Sequence, residues 1–199
     1  MKTSTAAVRL PLPLAAGIVI ALAVPYTVLN TLFPGPVLTY ASGLAIALVA
    51  LGVLWLAGMP PAACAVRVAP LSRRGALVLG GLLLYLPVAL WLGTGHPRDG
   101  VAMLIYAPAS ALGQELYFRG ALLGALSRIG ATRGWRAVGL QALAFALWHL
   151  RAFHVVAPGL ALVVLGGTCA AGALWGWQAR RDGTLLYAFA QHLLFLLAA

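Results

Sequence analysis

The sequence predicts an all-α integral membrane protein, a bundle of about seven transmembrane helices, on three observations. The first is composition. Of 199 residues, 63% are hydrophobic and 8% charged, and the mean hydropathy is +0.99. A soluble domain carries about 25% charged residues to clothe its surface, so this chain has too few to cover itself in water. The second is that apolar runs near the roughly 20 residues needed to cross a bilayer recur from end to end. The third is that the basic residues fall mostly in the short segments between those runs. The net charge of +10 therefore reads as a topology signal. Neither a basic face nor a nucleic-acid-binding motif is present, so no nucleic-acid partner is expected.

In order, the runs are 14–33, 37–57, 75–92, 101–126, 137–153, 159–178 and 184–199. The first follows Lys2 and Arg9 as a signal peptide would, yet it is long enough to span and shows no convincing cleavage site. It reads as a retained helix. Several runs contain Pro or Gly, which membrane helices tolerate because neighbouring groups satisfy the freed backbone. Gly166, Gly167, Gly172 and Gly176 in the sixth run read as places of close helix contact. Trp91, Trp135, Trp175 and Trp177 read as interface anchors or packing residues. Cys64 in a basic loop and Cys169 inside an apolar run offer no disulfide framework. Nothing interrupts the series, so 1–199 reads as a single transmembrane domain.

The loops orient the bundle. One side holds Lys2, Arg9, Arg67, Arg73, Arg74, Arg128, Arg133, Arg136, Arg180 and Arg181, against Arg98 and Arg151 on the other. Ten against two is the bias expected of cytoplasmic loops. It predicts a multi-pass protein of the cell membrane with its N-terminus cytoplasmic and its C-terminus external. An even number of spans would scramble the asymmetry.

Four residues do not belong in lipid. Ionisable groups at a helix centre cost roughly 2.5–3.5 kcal/mol on insertion scales, which makes them functional candidates by default. Glu115, the single glutamate, sits in the fourth run with Arg119 one turn later on the same face. His149 lies in the fifth run and His192 in the seventh. At 1.5 Å per residue, Glu115, His149 and His192 lie roughly 16, 18 and 12 Å from the basic side, one layer near the midplane. Plainer readings exist: a helix-pinning ion pair for Glu115 and Arg119, and interhelical hydrogen bonding for either histidine. His96 and His154 read as interfacial, and Asp99 and Asp182 as solvated loop residues.

The segment QELYFRG, Gln114 to Gly120, resembles the EExxxRG motif of the CAAX prenyl protease 2 and bacteriocin-processing family of glutamate-dependent intramembrane proteases. FALWH, Phe145 to His149, is similar to that family's FxxxH, and the stretch ending in QHLLFL resembles its closing HxxxN helix. The likeness covers about 100–199 as a catalytic core, and 1–99 match only as generic membrane helices. The resemblance implies catalytic roles for Glu115, His149 and His192, with Gln114, Arg119 and Phe145 supporting. Two positions depart from the pattern. The family's first glutamate, usually the one that activates water, is Gln114 here, and the asparagine after the last histidine is Leu196. Since glutamine cannot act as a base, either Glu115 has taken over the role or the chain keeps only the scaffold.

The chemistry so implied is hydrolysis of a membrane-anchored peptide or protein in the lipid bilayer. Arg119 would keep Glu115 ionised, His149 would help orient water, and His192 would donate to the oxyanion. Two histidines and a glutamate meet a catalytic zinc count. The histidines are not paired on one helix, however, and the family resemblance implies a metal-free glutamate mechanism, so no metal or other cofactor is expected. The rivals are an inactive, partner-binding membrane scaffold and a small transporter using Glu115 as a proton site. The chain has few further polar residues to line a transport path.

Overall fold

The computed structural model describes residues 10–33, 36–67, 73, 76–77, 80, 100–129 and 132–198, and every regular element among them is helical. The expected third span, 75–92, lies outside the described residues but for a few helical positions, as do Trp91, His96, Arg98 and Asp99.

The first expected span is formed by α1 (Leu12–Ala21) and α2 (Ala23–Leu32), which meet at Leu22. Pro25 explains the joint: it lacks the N–H that would bond the Ala21 carbonyl, and its ring crowds that carbonyl. α3 (Pro36–Leu56) follows, and its end meets the start of α1 through Leu10 N–H donating to the Leu56 carbonyl at 3.3 Å. α4 (Gly100–Gln114) runs without a break into a π-helical segment, Glu115–Leu122, and then into α5 (Leu123–Leu126). Next come α6 (Trp135–Trp148), the single turn α7 (Ala152–Val155), α8 (Pro158–Asp182) and α9 (Leu186–Ala198). Among the described residues, Leu12–Leu32 and Pro158–Asp182 are long and apolar enough to cross a membrane, and Ala41–Leu56 and Leu186–Leu196 are shorter apolar helices.

The fold holds several polar side chains within an apolar core and turns large apolar ones outward. Gln114, Glu115, Arg119, Gln141, Gln178, Gln191 and His192 are buried among alanines, while Leu48, Val49, Trp55, Leu160, Leu162, Val163 and Leu174 are exposed. In water so many outward large apolar side chains would leave much apolar surface unburied. In lipid the outward leucines cost nothing, and the interior polar groups need partners.

Close approach of helices depends on glycines. A Cβ on Gly172 of α8 would come within 3.1 Å of Ala142 Cα on α6, and one on Gly113 of α4 within 3.1 Å of the Leu44 nitrogen on α3. Gly176 likewise meets Gln141 of α6. Gly166 and Gly167 face open space, so only half of the expected glycine contacts form.

Three basic loops gather at one end. Arg67 Nε donates to the Gly183 carbonyl at 2.7 Å, Thr184 Oγ1 to the Arg67 carbonyl at 2.7 Å, and Leu185 N–H to the Ala65 carbonyl at 3.0 Å. Arg180 donates to the Gly134 carbonyl. Gly183, at φ 63°, ends α8 in the left-handed conformation that glycine adopts without strain.

The fifth span differs from expectation. The sequence places a continuous helix over 137–153 with His149 well inside it, whereas α6 stops at Trp148 and His149 caps it. The final turn tightens, His149 N–H bonding to the Ala146 carbonyl at 2.9 Å. The Phe145 carbonyl is thereby freed for the His149 ring, and the Trp148 carbonyl accepts from Asn30 Nδ2 at 2.8 Å. These side chains satisfy carbonyls that a continuing helix would have used.

Candidate active site

Glu115 opens the π-helical segment, where each backbone bond encloses one more residue than in an α-helix. The wider turn brings positions four apart closer to a line, and Arg119 lies over Glu115 with Nη1 3.1 Å from Oε1. From α9, His192 Nδ1 reaches the same oxygen at 2.8 Å. Glu115, Arg119 and His192 are 0%, 1% and 2% exposed, so bulk water does not compete for these contacts. Arg119 and His192 thus share one carboxylate oxygen, and Oε2 has no hydrogen-bond partner among the described residues.

Aromatic rings fix this group. The Arg119 guanidinium sits 3.9 Å over Phe145 and 5.2 Å from Trp175, distances at which the ring faces attract a cation. His192 stacks on Trp175 with centroids 4.9 Å apart and planes 26° apart, and meets Phe145 edge-on at 5.8 Å. Tyr26, Tyr117 and Phe118 pack behind, with Tyr117 Oη donating to the Val19 carbonyl at 2.9 Å.

The other expected residues divide. Phe145 sits at the centre of the group. His149 stands one ring away from Glu115's partners, edge-on to Phe145 at 4.8 Å. Its Nδ1 lies 2.8 Å from the Phe145 carbonyl, which can only accept, so Nδ1 carries the proton and Nε2 presents a lone pair. Gln114 donates from Nε2 to Ser110 Oγ at 2.8 Å, and its Oε1 has no partner among the described residues. Leu196 lies half-buried one turn beyond His192 on α9. Trp175, which the sequence reading treats as an anchor or packing residue, is the contact that reading missed. No spacing rule links it to His192 or Arg119. Ser110, by contrast, could have been found, being four residues before Gln114 on the same helical face.

A cavity of about 460 Å³ borders Glu115, walled chiefly by Leu112, Leu116, Leu185, Leu186 and Phe189 and bounded by Arg67. Cys64 is no rival nucleophile: burial pushes its thiol up to about 11, despite the opposing pull of Arg128. Among the described residues, no three His, Cys, Asp or Glu side chains gather as metal ligands.

A buried carboxylate held by arginine and histidine thus lies beside an apolar groove, on helices whose outer face suits lipid. Residues 97–198 match the family model of type II CAAX prenyl endopeptidases, Rce1-like. That is over half of the chain, and the chain belongs to this family. No curated protein and no solved structure matches significantly.

Proposed function

We propose that the chain is an intramembrane endopeptidase that cleaves a membrane-anchored peptide or protein, with Glu115 as the group that activates water. The observation that carries this reading is the division of labour within one carboxylate. Oε1 is held by Arg119 and His192, Oε2 has no partner among the described residues, and Glu115 forms part of the wall of the groove. Substrate entering that groove brings its scissile carbonyl to Glu115. Water gives its proton to Oε2 as its oxygen attacks the carbonyl carbon. His149, with Nε2 as an acceptor, helps align that water. His192 donates Nδ1–H to Glu115 Oε1, so it offers N–H to the oxygen that becomes anionic only when Nε2 also carries a proton. Collapse breaks the C–N bond, and the proton on Oε2 passes to the leaving nitrogen. General-base help of this kind supplies about 10²–10⁴-fold and one oxyanion donor about 10²–10³-fold.

A second reading, an inactive scaffold, rests on the same contacts. Glu115 bonds α9 to the π-helical segment, and Gln114, at the position of the family's usual base, is spent on Ser110. Substitution separates the two. Glu115→Gln keeps shape and removes the base, so it should abolish processing of a co-expressed membrane-anchored substrate, read as a mass shift, while the protein still accumulates. Glu115→Ala strands Arg119 in the interior, which costs about 3–5 kcal/mol, and accumulation should fall as well. Undiminished processing by Glu115→Gln sinks the catalytic assignment.

A further inference from the structure

Trp175 of α8, which lies outside the expected site residues, touches both partners of Glu115. Its ring stacks on His192 with centroids 4.9 Å apart and lies 5.2 Å from the central carbon of the Arg119 guanidinium. We propose that Trp175 is a positioning residue, holding Arg119 and His192 on Oε1 of Glu115 and so keeping Oε2 open for the proton of water. The proton step rests on the peptidase reading, whereas the arrangement of the carboxylate stands without it.

An arginine beside a carboxylate commonly lays its planar fork along both oxygens, in two parallel N–H···O bonds. Glu115 and Arg119 fall short of that. Nη1 comes within 3.1 Å of Oε1, yet among the described residues no guanidinium nitrogen has an aligned acceptor and Oε2 has no donor. Both groups are buried, so bulk water does not make up the difference. Two ring faces are in place to hold the guanidinium out of the fork. Its central carbon sits 3.9 Å over Phe145 and 5.2 Å from Trp175. The rings stand 6.3 Å apart at 59° to each other and form a corner around it. Away from water the pull of a ring face on a cation is at its strongest, and tryptophan's is the strongest of the aromatic side chains.

Helix packing brings Trp175 to that corner. Gly172, one turn earlier on α8, meets α6 where a Cβ would come within 3.1 Å of Ala142 Cα and 3.2 Å of Phe145 Cδ1. The close approach carries Trp175 in beside Phe145. His192 lies nearly flat on the indole, 26° from its plane, which fixes the ring rotation that sets Nδ1 2.8 Å from Oε1. Without the indole, Arg119 gains room to rotate into the fork and close on Oε2. A carboxylate paired at both oxygens is the poorer base.

The chain has a single glutamate, so its carboxylate can be read alone by infrared difference spectroscopy. The full chain is made by cell-free synthesis with and without glutamate isotope-labelled at the side-chain carboxyl carbon, then purified in detergent. A carboxylate held at one oxygen shows a wide separation between its antisymmetric and symmetric stretches, and one held at both shows a narrow separation. Wild type should give the wide pattern, and Trp175→Met, which keeps bulk without a ring face, the narrow one. Trp175→Phe, which keeps a ring face, should return toward wild type. Trp177→Leu removes a partly buried tryptophan of the same helix whose ring meets Arg181 at 4.4 Å, and should change nothing. Processing of a membrane-anchored substrate should follow the same order. Trp175→Met should lower kcat about 10²-fold and leave KM within about twofold, and Trp175→Phe should recover most of the loss.

A narrow separation or a protonated carboxyl band in wild type overturns the proposal, with no variant needing to fold. So does an unchanged separation in folded Trp175→Met, or a change in Trp175→Phe as large as in Trp175→Met. If wild type cleaves nothing, the peptidase reading fails, and the infrared comparison still decides whether Trp175 keeps Oε2 open.

Discussion

At the scale of single residues, the molecule turns on one carboxylate. Glu115 is the only acid buried among the described residues, and its contacts with Arg119 and His192 leave one oxygen unengaged. Gln114 beside it is the informative neighbour. If Glu115 already serves as base, Gln114→Glu adds a second carboxylate in the same dry layer. Two like charges that close resist joint ionisation, so the rate should change by less than about tenfold while its pH profile broadens. If the chain is an inactive scaffold, Gln114→Glu should instead create processing where none existed. Measuring cleavage in wild type and Gln114→Glu side by side separates these outcomes. Glu115, Arg119 and His192 were legible in the sequence because charge in an apolar run is expensive and conspicuous. Trp175 was not. Tryptophan in a membrane helix is ordinary, and only packing reveals that this one stacks on His192 beside Arg119.

At the scale of elements, the apolar runs locate helices well and describe their interiors poorly. The fourth run is one path of helix, as expected, but its middle is π-helical over Glu115–Leu122. Periodicity cannot distinguish that winding across so short a stretch. The fifth run ends early because Asn30 and His149 take up carbonyls at its end, and Asn30 comes from 118 residues earlier in the chain. The paired helices α6 and α8 offer a direct measurement. Gly172→Ala would press a methyl against Ala142 backbone, and overpacking of this kind costs about 1–3 kcal/mol. Gly166→Ala, which meets nothing, should stay within about 0.5 kcal/mol of wild type. Thermal unfolding in detergent should therefore separate two substitutions that the sequence presents as equals.

At the scale of the whole molecule, topology is the open quantity. The loops around residues 65, 134 and 183 are tied to one another at one end, which supports the sidedness read from the basic residues. Reporter fusions after residues 65 and 97 should give opposite readouts, cytoplasmic and external. Matching readouts would mean that the number of spans between them is not odd. By itself the sequence determined the helical, membrane-suited character of the chain, the sidedness it expects, and which few side chains are too polar to face lipid. These follow from composition and local order, since transfer into lipid acts on each residue almost independently. Only the tertiary structure decided that Arg119 and His192 share one oxygen of Glu115, that His149 stands a ring away, and that Trp175 lies against both Arg119 and His192. Those facts depend on helix rotation and close approach, set by small residues such as Gly172 and Gly113, where a Cβ would come within 3.1 Å of the neighbouring helix, which no single stretch of sequence encodes.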